Sequence, residues 1–399
     1  MMQKSFWLGI ALVLIMTVPS VVAAQQAVRG VTDTEINIGW TTPLSGPAAL
    51  WGATGLGGKA WADHINAQGG IHGRKINVIL KDDGYNPTRA LANLQEMKNE
   101  IFAVTALLGT AVVHACRDFF PENKMPLINA YGNTSMWQDY PKDKLRYVFV
   151  AYPDYQDEAQ FLTQWAAKNL GSKKFAIFYQ NDDFGKLGLA GMTDALEKMS
   201  GKASQAAAIP YEVTERALSA HALKLKESGA DTILMYTTMT HTALILKEMA
   251  KVGYRPQVLT SFPMGDPIMY KIAGELWEGV YPAGPNLGGM PGVDPEADRV
   301  ADILKKYNPK LEGTEYLALF GAMSTIYLAE GLKRAGRNLT PDTMIKAMES
   351  IKDWQPEGGG AKLNFGPDRR HGGNGSRLYK AEGGKHIPQT DFVYYEPRF

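Results

Sequence analysis

Phe102 to Arg117, FAVTALLGTAVVHACR, is the stretch on which the fold turns. Its first half, Phe102 to Leu108, has the unbroken apolar character of a short strand buried on both faces. Gly109 and Thr110 stop it, and a helix is expected to begin near Ala111. Such a junction leaves backbone N–H groups unpaired and sets the positive end of a helix dipole beside a small hydroxyl, a combination suited to a carboxylate or phosphate. The competing explanation is that Thr110 only caps its own helix.

Outward from this junction, strands and helices alternate. Strands are expected at Glu35 to Trp40, Lys75 to Lys81, Pro126 to Asn129 and Tyr147 to Ala151, with a crossing point at Pro153. A second set follows at Lys174 to Tyr179, Ala203 to Ile209, Asp231 to Tyr236, Gln257 to Thr260 and near Gly279 to Tyr281. Strands apolar throughout, separated by amphipathic helices, imply parallel sheets covered on both faces. Pro282 to Pro295 reads as a Gly/Pro loop, helices follow at Pro295 to Tyr307, Glu315 to Ala335 and Pro341 to Ser350, and the tail alternates as antiparallel edge strands do. Two α/β sets in order, with further helices after both, predict two lobes joined by several crossings, the ligand lying between the carboxyl ends of their strands.

Composition narrows the function. Lys4, the apolar run Phe6 to Met16, Pro19 and the small residues Val22 and Ala24 form a secretory signal peptide, residues 1–24, with cleavage expected after Ala24. No cysteine follows that site, so a free periplasmic protein without a lipid anchor is expected. With 42 basic and 41 acidic residues the net charge is +1, which gives no electrostatic case for nucleic acid or an anionic membrane. The single cysteine, Cys116, rules out an intramolecular disulfide, and the seven histidines fall into no metal-ligand spacing. No metal and no cofactor is expected.

Enzyme motifs fail on their details. GATGLGGK, Gly52 to Lys59, departs from a phosphate-binding loop at Ala53 and Ala60, and the GxGxxA match at Gly55 to Ala60 lies well past the end of its strand. No GxSxG elbow exists, and the acid pairs Asp82/Asp83 and Asp182/Asp183 sit where capping and solvation account for them. By contrast Trp51, Tyr131, Tyr155 and Phe262 all fall in or beside loops at strand ends, on both sets, where aromatic rings line a pocket for a flat or bulky apolar body.

The chain resembles the periplasmic solute-binding proteins of the Leu/Ile/Val type, which serve ABC transporters. The resemblance is carried by INIGWTTPLSGPAALWG, by INAQGGIHGRKINVILKDDGYNPTRA, by the GT-helix segment at Gly109, by NDDFGKLG and by GADTILMYTT, and covers almost all of the chain after the signal. It implies a type I periplasmic binding fold of two doubly wound lobes with three crossovers, closing like a hinged trap. The N-lobe would comprise 33–152 plus 285–365, and the C-lobe 153–284 plus 366–399. It also implies a monomer that hands a small molecule to an inner-membrane ABC permease, and no enzymatic activity.

Carried over position by position, the resemblance places the carboxylate contact on Thr110, with Leu108 and Gly109 before it. A second contact falls on Asn133, a carbonyl facing an ammonium on Tyr131, an aromatic wall on Trp51, and the second lobe's wall on Thr238, with Tyr155, read above from its place at a strand end, on the same side. Phe262 occupies the place where amino-acid binders carry a Glu that pairs with the α-ammonium. A desolvated ammonium without that partner is costly, by several kcal/mol. The expected ligand is therefore a carboxylate with an apolar, aromatic body and no α-ammonium. The alternatives are branched-chain or other hydrophobic amino acids or amides, with Asp266 reaching back as the counter-charge, or a ligand sensor instead of an uptake protein.

Overall fold

The computed structural model describes residues 27–285 and 288–399, so the expected signal peptide lies outside the described residues. Five strands, β1 (Glu35–Thr42), β2 (Lys75–Asp82), β3 (Ala103–Thr105), β4 (Leu127–Ile128) and β5 (Val148–Ala151), alternate with helices in the first part of the chain. Five more, β6 (Lys174–Gln180), β7 (Ser204–Tyr211), β8 (Thr232–Tyr236), β9 (Gln257–Thr260) and β10 (Tyr281–Pro285), follow in the second. The tail adds β11 (His371–Gly373), β12 (Gly375–Glu382), β13 (Lys385–Pro388) and β14 (Val393–Tyr394). The first sheet runs β11-β5-β4-β3-β1-β2 with every pair parallel. In the second, β7-β6-β8-β9-β10 are parallel, and β12 pairs antiparallel with β10, β13 and β14. This is the two-sheet α/β architecture that unbroken apolar strands require, since β3, β4, β5 and β8 are buried along their whole length.

The expected strand Phe102 to Leu108 is shorter than its apolar run. After Thr105 the chain turns through Ala106 and Gly109, both at positive φ, before helix Thr110–Cys116 begins. The strand expected near Gly279 is Tyr281–Pro285, so the Gly/Pro run read as a loop from Pro282 opens as β10, with Tyr281 and Pro282 beside Leu259 and Thr260. The chain passes between sheets at Tyr152–Asp154, between β10 and helix Pro295–Tyr307, and at Asn374. The last passage lies beyond the 365/366 boundary read from sequence, because His371–Gly373 still pairs with Val150 and Ala151 of the first sheet.

One cluster of polar side chains pins these passages. Asp154 caps helix Tyr155–Asn169 by accepting from Gln156 N and Asp157 N at 3.0 and 3.1 Å, and it also accepts from Thr134 Oγ1 at 2.5 Å. Its own N–H donates to Asn374 Oδ1 at 2.8 Å, and Arg398 bridges Asp154 and Asp157. His371 donates from Nε2 to the Tyr152 carbonyl at 2.8 Å and accepts at Nδ1 from Arg398 N at 3.0 Å, which defines a neutral tautomer. Burial pushes its pKa down to about 4.

Helix Glu315–Ala335 returns to the first sheet and packs on helix Gly52–Ala67 at close range. A Cβ on Gly57 would lie 2.1 Å from the Ala318 carbonyl oxygen, and one on Gly321 would lie 1.7 Å from that of Thr54. Backbone therefore meets backbone, and Thr325 Oγ1 donates across to Gly58 O at 3.1 Å. Gly321→Ala is expected to force the two helices apart and lower stability by about 1–3 kcal/mol, read as a shift in the urea midpoint at constant slope.

Candidate functional site

At the carboxyl ends of the strands the two sheets face each other across a cleft of about 420 Å³, counting space open to solvent. The first lobe contributes Ala48, Trp51, Tyr85, Leu108, Gly109, Thr110, Tyr131 and Tyr152. Tyr155, Gln180, Phe184, Thr237, Thr238 and Pro263 face them from the second. Seven of the nine residues expected from the sequence thus meet in one place: Trp51, Leu108, Gly109, Thr110, Tyr131, Tyr155 and Thr238.

Local chemistry explains each placement. Asp82 at the end of β2 accepts from Leu44 N, Ser45 N and Ser45 Oγ at 2.9, 3.2 and 2.6 Å, which holds the Ser45-Gly46-Pro47 loop that delivers Trp51. Thr54 Oγ1 then donates to Trp51 O at 2.7 Å. Gly109 takes φ 104°, a left-handed conformation that favours glycine, and a Cβ there would lie 2.7 Å from the Tyr85 ring. Thr110 begins the helix and is 2 % exposed, and Gly109 O accepts from Val113 N at 2.8 Å. On the opposite wall Thr238 caps helix Met239–Lys251 through His241 N, and its N–H donates to the Tyr211 hydroxyl at 3.0 Å.

Three carried-over roles change in the structure. Asn133 does not line the cleft: its Oδ1 accepts from Ser135 N and Oγ at 2.7 and 2.6 Å, and its N–H donates to Thr110 Oγ1 at 3.1 Å. That bond occupies a lone pair of the Thr110 hydroxyl and leaves its proton to be donated elsewhere. Tyr131 enters the cleft by its ring, while its carbonyl accepts from Gly109 N at 2.7 Å and its hydroxyl is held by Phe320 O and Ser324. Phe262 lies behind the wall, stacked on Tyr155 at 5.6 Å and edge-on to Tyr152 at 4.9 Å. Asp266 does not reach the cleft either; it accepts from Ile268 N and Leu317 N at 2.6 and 2.9 Å, tying down the start of helix Glu315–Ala335, and burial raises its pKa to about 7.

Tyr85, Tyr152, Gln180 and Phe184 are lining residues that sequence reasoning passed over. Tyr85 is a non-glycine residue at φ 62°, with its N–H donating to Asp83 Oδ1 at 2.8 Å, and its hydroxyl meets Gln180 of the other lobe. The signal available in the sequence was its place just after the Asp82-Asp83 strand end.

The electrostatic character of the cleft is its defining feature. None of the fourteen lining residues is charged, and six are aromatic. The acids nearby are hydrogen-bonded within the fold, Asp182 by accepting from Gln180 Nε2 and Gly185 N at 2.5 and 3.3 Å. Glu158 accepts from Phe262 N and the Tyr236 hydroxyl at 3.1 and 3.0 Å, and Asp83 accepts from Thr41 Oγ1 at 2.9 Å. Burial raises their pKa values to about 7 and about 6.

A family model described as "Periplasmic binding protein" matches residues 35–385. Leu/Ile/Val-binding protein homolog 1 of Brucella abortus (strain 2308) is 24% identical over 354 residues, covering 87% of this chain and 88% of that protein. Among solved structures, a fatty acid ABC transporter substrate-binding protein from Thermomonospora curvata superposes with a TM-score of 0.80 at 23% identity, covering 92% of this chain and 94% of the other. A branched chain amino acid ABC transporter from Thermus thermophilus with bound valine superposes with a TM-score of 0.81 at 18% identity, covering 91% and 97%. Among the described residues no helix is long and apolar enough to cross a membrane.

Because the folded pKa of Glu158 is raised above its unfolded value, its contribution to stability is full below about pH 4.5 and is lost as pH rises through about 7. Glu158→Gln keeps an acceptor for Phe262 N and cannot ionise. Its stability relative to the parent protein is expected to rise between pH 5 and pH 8; urea unfolding of both proteins at the two pH values checks the sign.

Proposed function

The chain belongs to the periplasmic binding protein family, and from that premise we propose that it captures a small carboxylate with an apolar, aromatic body and no α-ammonium, and delivers it to an ABC permease. The observation that carries this reading is the uncharged lining of the cleft. An α-amino acid brings an ammonium that loses its hydration on entry and requires a carboxylate partner. Phe262 stands where the resemblance expects that partner, and Asp266, Glu158 and Asp83 all bond elsewhere.

An acid without an ammonium meets a different balance. Thr110 presents a hydroxyl proton at the start of a helix, where the first backbone N–H groups have no partner within the helix. Trp51, Tyr85, Tyr131, Tyr152, Tyr155 and Phe184 offer ring faces and edges to an apolar body. The two lobes contribute to the same cleft, so a ligand touching both favours the closed arrangement over an open one. The neighbour from Thermomonospora curvata is named for fatty acids, which also pair a carboxylate with an apolar body and lack an ammonium.

The second reading, a branched-chain amino acid, rests on the names of the Brucella relatives and of the valine-bound neighbour. Calorimetric titration with leucine, benzoate and 3-phenylpropanoate separates the two. Saturable binding of an aryl acid without leucine binding is expected, and tight leucine binding with no aryl-acid response overturns the proposal. Thr110→Ala should weaken aryl-acid binding by about 1–3 kcal/mol through the lost hydrogen bond. Phe262→Glu, by contrast, buries a charge among rings and is expected to lower stability; circular dichroism during thermal unfolding reads that loss.

A further inference from the structure

The cleft holds a second polar feature, well separated from Thr110. Tyr152 follows β5, β4 lies between β5 and β3, and Thr110 opens the helix that follows β3. The two backbone positions are thus two strand spacings apart, roughly 10 Å along the sheet. Tyr152 and Tyr155 are 3 % and 4 % exposed, both line the cleft, and their hydroxyl oxygens are 2.8 Å apart. Two hydroxyls carry two protons, and their mutual bond uses one. Among the described residues neither hydroxyl has a further partner, so one proton and the remaining lone pairs are uncommitted in a buried site. Three neighbouring tyrosine hydroxyls are engaged: that of Tyr131 with Phe320 O and Ser324, that of Tyr236 with Tyr155 O and Glu158, and that of Tyr211 with Thr238 N.

The rings themselves are held firmly. Tyr131 stacks on Tyr152 at 5.3 Å, Phe262 stacks on Tyr155 at 5.6 Å, and Phe184 packs edge-on to Tyr155 at 4.6 Å. The hydroxyl pair is therefore presented by a fixed aromatic frame. Burial raises both phenol pKa values well above the usual value, so each remains a protonated donor at any physiological pH.

We propose that the Tyr152–Tyr155 hydroxyl pair is a specificity subsite for an oxygen substituent on the aryl ring, on the side opposite the acid, so that the preferred ligand is a hydroxylated aryl carboxylate and not the unsubstituted acid. This rests on the aryl-acid reading above. A ring hydroxyl both accepts the free tyrosine proton and donates to a tyrosine lone pair, which completes the hydrogen bonding of all three oxygens. An unsubstituted ring leaves the pair as it stands, with a buried donor unsatisfied. The discrimination therefore comes from the site's own unpaired group, the arrangement that separates hydroxylated from plain ligands most sharply.

The test uses two matched acids, 3-phenylpropanoate and 3-(4-hydroxyphenyl)propanoate, titrated calorimetrically into the mature protein and into the double variant Tyr152→Phe/Tyr155→Phe, which removes both hydroxyls. For the parent protein the hydroxylated acid is expected to bind about tenfold tighter, the factor that corresponds to one hydrogen bond. In the double variant the ratio of the two affinities should fall close to one, whatever happens to the absolute affinities. Thermal unfolding of the variant verifies that the fold is retained. Binding of both acids by the parent protein with equal affinity overturns the subsite and leaves the aryl-acid reading standing. A preference that survives in the double variant also overturns it. Failure of either acid to bind overturns that reading and the subsite together.

Discussion

The structure depends on one buried carboxylate, that of Asp154. It stands at the first passage between the sheets, caps the helix that opens the second lobe, accepts from Thr134 of the first lobe, and is bridged by Arg398 from the tail. Asn374, at the last passage, meets the backbone of the same residue. A buried charge is costly unless paired and hydrogen-bonded, and here the groups that satisfy it come from three distant parts of the sequence. Satisfying one charge therefore brings the passages together, and a short, well-bonded joint is what permits two sheets to face each other by their carboxyl ends.

The joint decides the chemistry of the cleft. Parallel sheets direct all their strand ends to one side, so loops after β1, β2, β3, β4 and β5 meet those after β6, β8 and β9. The loops bring acids as well as rings. The acids are consumed by structure: Asp82 holds the Ser45 loop, Asp83 the turn before Tyr85, Asp266 the start of a long helix, and Glu158 the backbone of Phe262. The rings remain to form the walls. A neutral cleft is thus the result of where the acids find their hydrogen-bond donors, and it leaves hydroxyls and main-chain groups as the polar atoms of the cleft.

Reading residues one at a time was reliable where a position's role is local. Gly109 and Thr110 mark a helix start by their own chemistry, and Trp51 follows a loop rich in Gly and Pro. The reading was less reliable where a role depends on which way a side chain turns. Asn133 and Phe262 stand at the expected loops but point away, one to Ser135 and one to the rings of Tyr152 and Tyr155. Tyr85 follows a strand end visible in the sequence, but that a turn at positive φ aims it inward, and that a passage between sheets does so for Tyr152, is not carried by their immediate neighbours.

What the amino-acid sequence determined by itself is the two-sheet α/β architecture, the order of its elements and most of the loops that line the cleft. These follow from apolar periodicity, caps and turns, which act over a few residues. Only the tertiary structure decided that β11 belongs to the first sheet, that the acids are spent on backbone donors, and that two tyrosine hydroxyls are left with one proton to give. Those outcomes depend on pairings that include residues far apart in the sequence, as between Val150 and His371. Hydrogen-bond satisfaction in a buried site is settled by packing that no short window of sequence contains.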